Sequence, residues 1–192
     1  MQKLKNFLYN SSGLISANIL VGSYLPDWRP QTDYRQSYSA RKKEGGGVLR
    51  DLSHELDYVL WLFGPWRWLT AAGGHLSPLE ITSDDTYSLL METDRCPLVS
   101  INMNYLDRIP SRKILVNTNE NTVCIDFIKN IIAIDGVEES FNIARDDSYR
   151  IQHQAILSDN VDELCSIEEA IETLHTINVA EQAAVSHTWV ER

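Results

Sequence analysis

Apolar and polar positions change their period several times along the chain. Leu4, Phe7 and Leu8 recur at helical spacing, which predicts a short helix over 3–10. Ser11-Ser12-Gly13 breaks it, and Ile15, Ala17, Ile19 and Val21 then alternate as a strand over 15–22. A long loop follows from Ser23 to Glu44 and ends on Gly45-Gly46-Gly47. Loops of that length inside a compact domain are uncommon and often functional. Residues 48–63 give the clearest helix, with Leu49, Leu52, Leu56, Leu60 and Phe63 on one stripe and Gly64-Pro65 as the stop. The period then falls to two. Strands are expected at 66–72, 85–93, 97–106, 112–118, 122–128, 131–135 and 138–144, and their short links force antiparallel pairing. Helical patterns return at 147–158 and 166–187, the second opened by Ser166 with Glu168 and Glu169 behind it. Segregated strands and helices indicate an α+β fold: an open, mainly antiparallel, mixed β-sheet with helices packed on one face.

Length and composition narrow the class. With 192 residues, 43% hydrophobic and 23% charged, the chain reads as one globular domain, 1–192. The apolar runs are far short of the ~20 residues that cross a bilayer, so no membrane partner is expected. No secretory leader is visible at Met1-Gln2-Lys3. A net charge of −10 argues against a nucleic-acid partner. The charge is uneven: residues 1–50 carry eight cations against three anions, whereas 135–192 carry three against thirteen carboxylates. Either the basic quarter collects an anionic small molecule or the two ends are merely solvated faces. Cys96, Cys124 and Cys165 are odd in number and far apart, which predicts free thiols and a cytoplasmic setting. The five histidines show no metal-binding spacing.

Chemistry concentrates in two stretches. On the helix at 48–63, Asp51, His54, Glu55 and Tyr58 fall at spacings that put them on one polar face. A histidine there suits proton transfer, with a carboxylate to orient it; the bland reading is a surface pair. The three glycines just before it would let a ligand or a backbone approach closely. In the loop, Trp28, Tyr34 and Tyr38 stand beside Arg29, Arg35 and Arg41. Aromatics stack on sugar or base faces and arginine clamps carboxylate or phosphate; alternatively, the aromatics pin the loop to the core. Neither GxGxxG nor GxxxxGK[ST] occurs, so this chain has no ordinary cradle for a dinucleotide.

The run GGGVLRDLSHELDYVLWLFGPW resembles the signature of the C-terminal domain of the Gfo/Idh/MocA oxidoreductases. VGSYLPDWRPQTDYRQSYSA is similar to a branch associated with bacterial surface-sugar synthesis, and CSIEEAIETLHTINVAEQAAVSHTWV resembles the family's ending. Such enzymes use NAD(P), mostly on sugars and polyols, with an N-terminal Rossmann domain for the dinucleotide. This chain resembles only the second domain, which carries substrate and oligomer contacts. The resemblance implies that His54 handles the substrate proton during hydride transfer, with Asp51 as its acidic neighbour. It implies substrate contacts for Trp28, Arg29, Tyr34, Arg35 and Tyr58, and a sugar or nucleotide-sugar partner whose phosphates would suit the basic loop. Many members space the pair as D-x-x-x-H; here Asp51 and His54 are one residue closer. The family's E-K-P lysine belongs to the other domain and has no counterpart here.

Two readings follow. One is the substrate-binding and oligomerisation domain of an NAD(P)-dependent sugar oxidoreductase, binding no cofactor by itself and inactive alone. The other is a non-catalytic module that dimerises or binds a ligand. Both allow a homo-oligomer formed through the open sheet face.

Overall fold

The computed structural model describes residues 1–144, 146–160 and 164–192. The chain runs α1 (Gln2–Asn10), β1 (Leu14–Gly22), a long connection, α2 (Val48–Asp51), α3 (Ser53–Phe63), β2 (Trp66–Gly74), β3 (Thr86–Thr93), β4 (Leu98–Asn104), β5 (Ser111–Thr118), β6 (Thr122–Asp126), β7 (Ile131–Ile134), β8 (Val137–Ser140), α4 (Asp147–Leu157), α5 (Ile167–Ser186) and β9 (Val190–Glu191). The strands form one open mixed sheet in the order β8-β7-β6-β5-β1-β4-β3-β2-β9. This is the α+β architecture the periodicity predicts.

The sheet is two meanders joined by one strand. β2 to β4 and β5 to β8 each zigzag antiparallel, through short links except for the longer connection 75–85 between β2 and β3. β1 lies between them, antiparallel to β5 and parallel to β4. Alternation builds the core. One register row crosses the sheet as Ala71, Leu89, Ile101, Ile19, Ile114, Ile125 and Ile132, all buried. The row beside it runs Leu69, Met91, Val99, Ala17, Val116, Val123 and Ile134. A third runs Gly73, Tyr87, Met103, Val21 and then Arg112, so the same apolar face ends on a charge at β5. Leu4 and Leu8 of α1, Leu56, Val59 and Leu62 of α3, and Ile177, Ala180 and Ala183 of α5 share the core with these rows.

α5 starts with a capping box: Ser166 Oγ accepts from Glu169 N–H, and Glu169 accepts from Ser166 N–H. Trp66 at the start of β2 donates Nε1–H to Thr176 of α5 (3.0 Å), and Arg50 forks onto Glu181 at 2.5 and 3.1 Å. The opposite sheet face is uncovered and mixed. Leu20, Leu90, Leu98, Leu115 and Trp68 stand exposed among Asn18, Ser88, Ser100 and Asn102. Ser100 donates to Asn18, and Ser88 to Asn102, both at 2.7 Å.

Three features differ from the sequence reading. The loop from Ser23 is wound into four short 3₁₀ turns at Leu25–Asp27, Tyr34–Gln36, Tyr38–Ala40 and Lys42–Glu44. The helix expected over 48–63 is broken at Leu52, whose φ of −104° and ψ of 24° leave the α region. The break lets α2 aim Arg50 and Asp51 at different partners from those of α3. The two-residue β9 also went unpredicted; it pairs Val190 with Leu69 and is too short for alternation to show.

Candidate active site

Three strands finish at the same edge. Gly22, the last residue of β1, lies opposite Asn104 at the end of β4 and Ser111 at the start of β5. The connection that begins at Ser23, the residue Tyr105 and the inward-facing Arg112 therefore emerge together beside α2 and α3. Gly46 and Gly47, just ahead of α2, are closed in by protein, whereas Gly45 faces open space. A Cβ on Gly46 would lie 2.1 Å from the Tyr38 carbonyl oxygen, and one on Gly47 would lie 2.6 Å from Asp84 Oδ2. Gly46 faces backbone carbonyls and Gly47 the Asp84 carboxylate, both of which repel an anion, so these two positions do not fit a dinucleotide's pyrophosphate.

Asp51 and His54 part at the Leu52 break. Asp51 Oδ2 accepts the Tyr105 hydroxyl at 2.7 Å. The Trp28 and Tyr105 rings meet edge to face at 5.2 Å, and Trp28 donates Nε1–H to Ser23 Oγ at 2.6 Å. Burial first, then the Asp51 carboxylate, push the Tyr105 hydroxyl well above its ordinary pKa. It therefore remains a protonated donor, and Asp51 is committed to holding Tyr105 and, through it, Trp28.

The carboxylate next to His54 is Glu55. Its side chain is fully buried, its Oε2 accepts the Tyr58 hydroxyl at 2.5 Å, and its Oε1 lies 3.0 Å from His54 Nε2 and 2.7 Å from Arg112 Nη2. The two nitrogens at Oε1 are close but off the hydrogen-bonding axis, so Oε1 and the buried Arg112 Nε have no aligned partner. The Arg112 guanidinium lies 4.8 Å from the Phe127 ring centre, and Phe127 packs on Tyr58 at 6.2 Å. Burial works to raise the Glu55 carboxyl, but His54, Arg112 and Tyr58 outweigh it and hold it below the ordinary carboxylate value. Burial, then Glu55, push the Tyr58 hydroxyl far up. The His54 side chain stays half exposed above this buried group.

The connection mostly satisfies itself. Arg35 forks onto Asp33 and reaches Glu80 at 2.7 Å; the Tyr34 hydroxyl accepts Glu80 N–H at 3.2 Å. Arg29 lies over the Tyr38 ring at 5.8 Å. Arg41 pairs with Glu44 and Lys42 with Asp84, so much of the basic quarter's charge is answered within the chain. Trp28, Arg29 and Tyr34 line a recess of ≈10 Å³, room for about one water. Tyr58 belongs instead to the edge of a cleft of ≈620 Å³ with Met1, Lys5, Asp57, Trp61 and Cys165.

Of the residues singled out from sequence, the structure joins His54 to Tyr58 through Glu55, and Asp51 to Trp28 through Tyr105. Tyr34 and Arg35 form a separate group around Glu80. Arg112 and Tyr105 escaped the sequence reading. Arg112 had one visible signal: it shares the inward parity of Ile114 and Val116, where an apolar residue is expected.

Residues 11–123 match the family described as the GFO/IDH/MocA C-terminal domain. No curated protein matches the sequence. Among solved structures, an NAD binding oxidoreductase from Klebsiella pneumoniae is similar at 15% identity and a TM-score of 0.83, over 99% of this chain and 62% of that one. The WlbA dehydrogenase from Bordetella pertussis, solved with NADH and UDP-GlcNAcA, gives 17%, 0.78, 100% and 60%. A levoglucosan dehydrogenase solved with NADH gives 12%, 0.81, 98% and 61%. This chain thus spans about 60% of the length of those oxidoreductases. A family match over more than half the sequence, carried on a fold shared throughout, makes this chain a member of the GFO/IDH/MocA oxidoreductases, as their C-terminal domain.

Proposed function

We propose that this domain binds a sugar or nucleotide sugar for an NAD(P)-dependent oxidoreductase, with His54 handling a substrate hydroxyl proton. The observation that carries the reading is the half-exposed His54 ring set on Glu55, a fully buried carboxylate balanced by Arg112. An imidazole with a fixed anion behind it accepts a proton readily, because the anion offsets the charge that forms. Asp51 supports the site from the side by fixing Tyr105 and Trp28. Trp28 and the exposed Arg29 offer an aromatic face and a cation to a sugar and its phosphates. The similar structures add weight, since one contains a nucleotide sugar and another acts on levoglucosan by its name.

The packing of Gly46 and Gly47 against protein supports a reading in which a separate domain supplies the redox partner and this chain alone is inactive. Three free thiols support a reducing, cytoplasmic setting, and among the described residues no helix is long and apolar enough to cross a membrane. The leucines on the uncovered sheet face support pairing of two copies there.

A thermal-shift titration tests the substrate reading. Ligand at a hundred times its dissociation constant adds about 2.7 kcal/mol, which is readily measured. Among nucleotide sugars, NAD(H) and NADP(H), at least one sugar should raise the wild-type midpoint, His54→Ala should lose that response, and no dinucleotide should act. A dinucleotide response, or silence from every sugar, overturns the reading.

A further inference from the structure

We infer that Glu55 is the positioning residue for His54, and that Nδ1 is the ring nitrogen left open to the substrate. The inference rests on the reading of His54 as the proton-handling group. Asp51 is taken up by the Tyr105 hydroxyl, which leaves Glu55 as the carboxylate in contact with the ring. Glu55 is an acceptor on both oxygens. Tyr58 donates to Oε2, and the Arg112 cation stands 2.7 Å from Oε1, so the carboxyl stays ionised in its buried position. An ionised oxygen 3.0 Å from Nε2 repels a lone pair there and attracts a proton. The neutral ring therefore carries its hydrogen on Nε2, and the lone pair sits on Nδ1.

The pairing has spare capacity in the resting protein. Oε1 accepts no aligned hydrogen bond, although it lies within reach of His54 and Arg112. When a substrate hydroxyl gives its proton to Nδ1, the O–H electron pair stays on the substrate oxygen and the ring becomes a cation. Nε2–H can then swing into line with Oε1. The alignment strengthens as the charge appears, the arrangement that favours the transfer over the resting state. Tyr58 and Arg112 act one contact further back by holding the carboxylate in place.

Nitrogen-15 spectra of the histidine rings in the 192-residue chain test this without any sugar. An anionic oxygen 3.0 Å from Nε2 attracts a proton and repels a lone pair there even without an aligned bond, so neutral His54 should lie about tenfold toward Nε2–H. Glu55→Leu, shown folded by its amide spectrum, should return the ratio to that of a histidine peptide. If the leucine variant does not fold, Glu55→Gln takes its place and should shift the ratio in the same direction. A wild-type ring with hydrogen on Nδ1, or a ratio unmoved in a folded variant, overturns the inference. A sugar response with hydrogen on Nδ1 defeats this inference alone. A locked Nε2–H tautomer with no sugar response defeats only the substrate reading.

Discussion

Arg112 is the residue on which the buried chemistry depends. It sits at the end of an otherwise apolar register row and, among the described residues, is the arginine or lysine paired with fully buried Glu55. Removing one partner of a buried ion pair costs about 3–5 kcal/mol, because the remaining charge is stranded. Arg112 is about a third exposed, so Arg112→Ala should lie near the lower end, about 3 kcal/mol in urea unfolding. Acid should reveal the same group. The folded Glu55 carboxyl lies below its ordinary value of 4.5, so its contribution is complete above that value. It is lost as the pH falls from about 4.5 through the lower folded value. Glu55→Gln should therefore lower the melting temperature at pH 7 and bring the two proteins' curves together toward pH 3. Asp126 and Asp135 are also held low, so an acid-sensitive limb survives in the variant. Sequence periodicity marked His54, Glu55 and Tyr58 as neighbours. It could not show that two of them point inward, because what draws them in is an arginine on a distant strand.

At the scale of elements, the connection from Ser23 to Gly47 is built by backbone contact. Gly46 and Gly45 look alike in sequence but differ in what surrounds them. A methyl at Gly46 meets the Tyr38 and Ser39 carbonyls, whereas one at Gly45 meets open space and only the strain of φ +84°. Gly46→Ala should cost about 2–3 kcal/mol or prevent docking of the turns. Gly45→Ala should cost about 1 kcal/mol, from the left-handed backbone alone. Parallel chemical denaturation of the two variants checks the order. Equal losses would mean that the turns are not seated on this glycine. The strands and the hairpin links were legible because alternation and tight turns are local signals. The helix break at Leu52 was not, since nothing in the stripe from Leu49 to Phe63 interrupts the helical period. The break satisfies Asp51 and Glu55 separately, on Tyr105 and Arg112.

For the whole molecule, the uncovered sheet face carries the pairing proposal. Leu98 is half exposed on that face and flanks Trp68 across β3. Wild type should sediment as a dimer, and Leu98→Lys should shift it toward monomer while the variant stays folded, since half of the Leu98 residue already faces solvent in its own chain. A wild type that stays monomeric at its solubility limit would rule the pairing out. The mixed polarity of the face explains why alternation alone left the question open: the cross-strand serine and asparagine pairs suit water as well as a partner.

β1 has a consequence for how the chain assembles in time. It is the first strand of this domain, yet both its sheet neighbours follow much later in the sequence: Asn18 meets Ser100 across 82 residues, and Ser16 meets Asn117 across 101. Each meander can close on its own through connections far shorter than those β1 must bridge, which is faster. Joining them requires β1 to be captured on both edges, so the slow, high-entropy closure is concentrated in a single early segment. During synthesis β1 waits, with its apolar side uncovered, until residues near 118 have emerged. The same strand that ends beside the candidate site therefore sets the moment at which that site first exists.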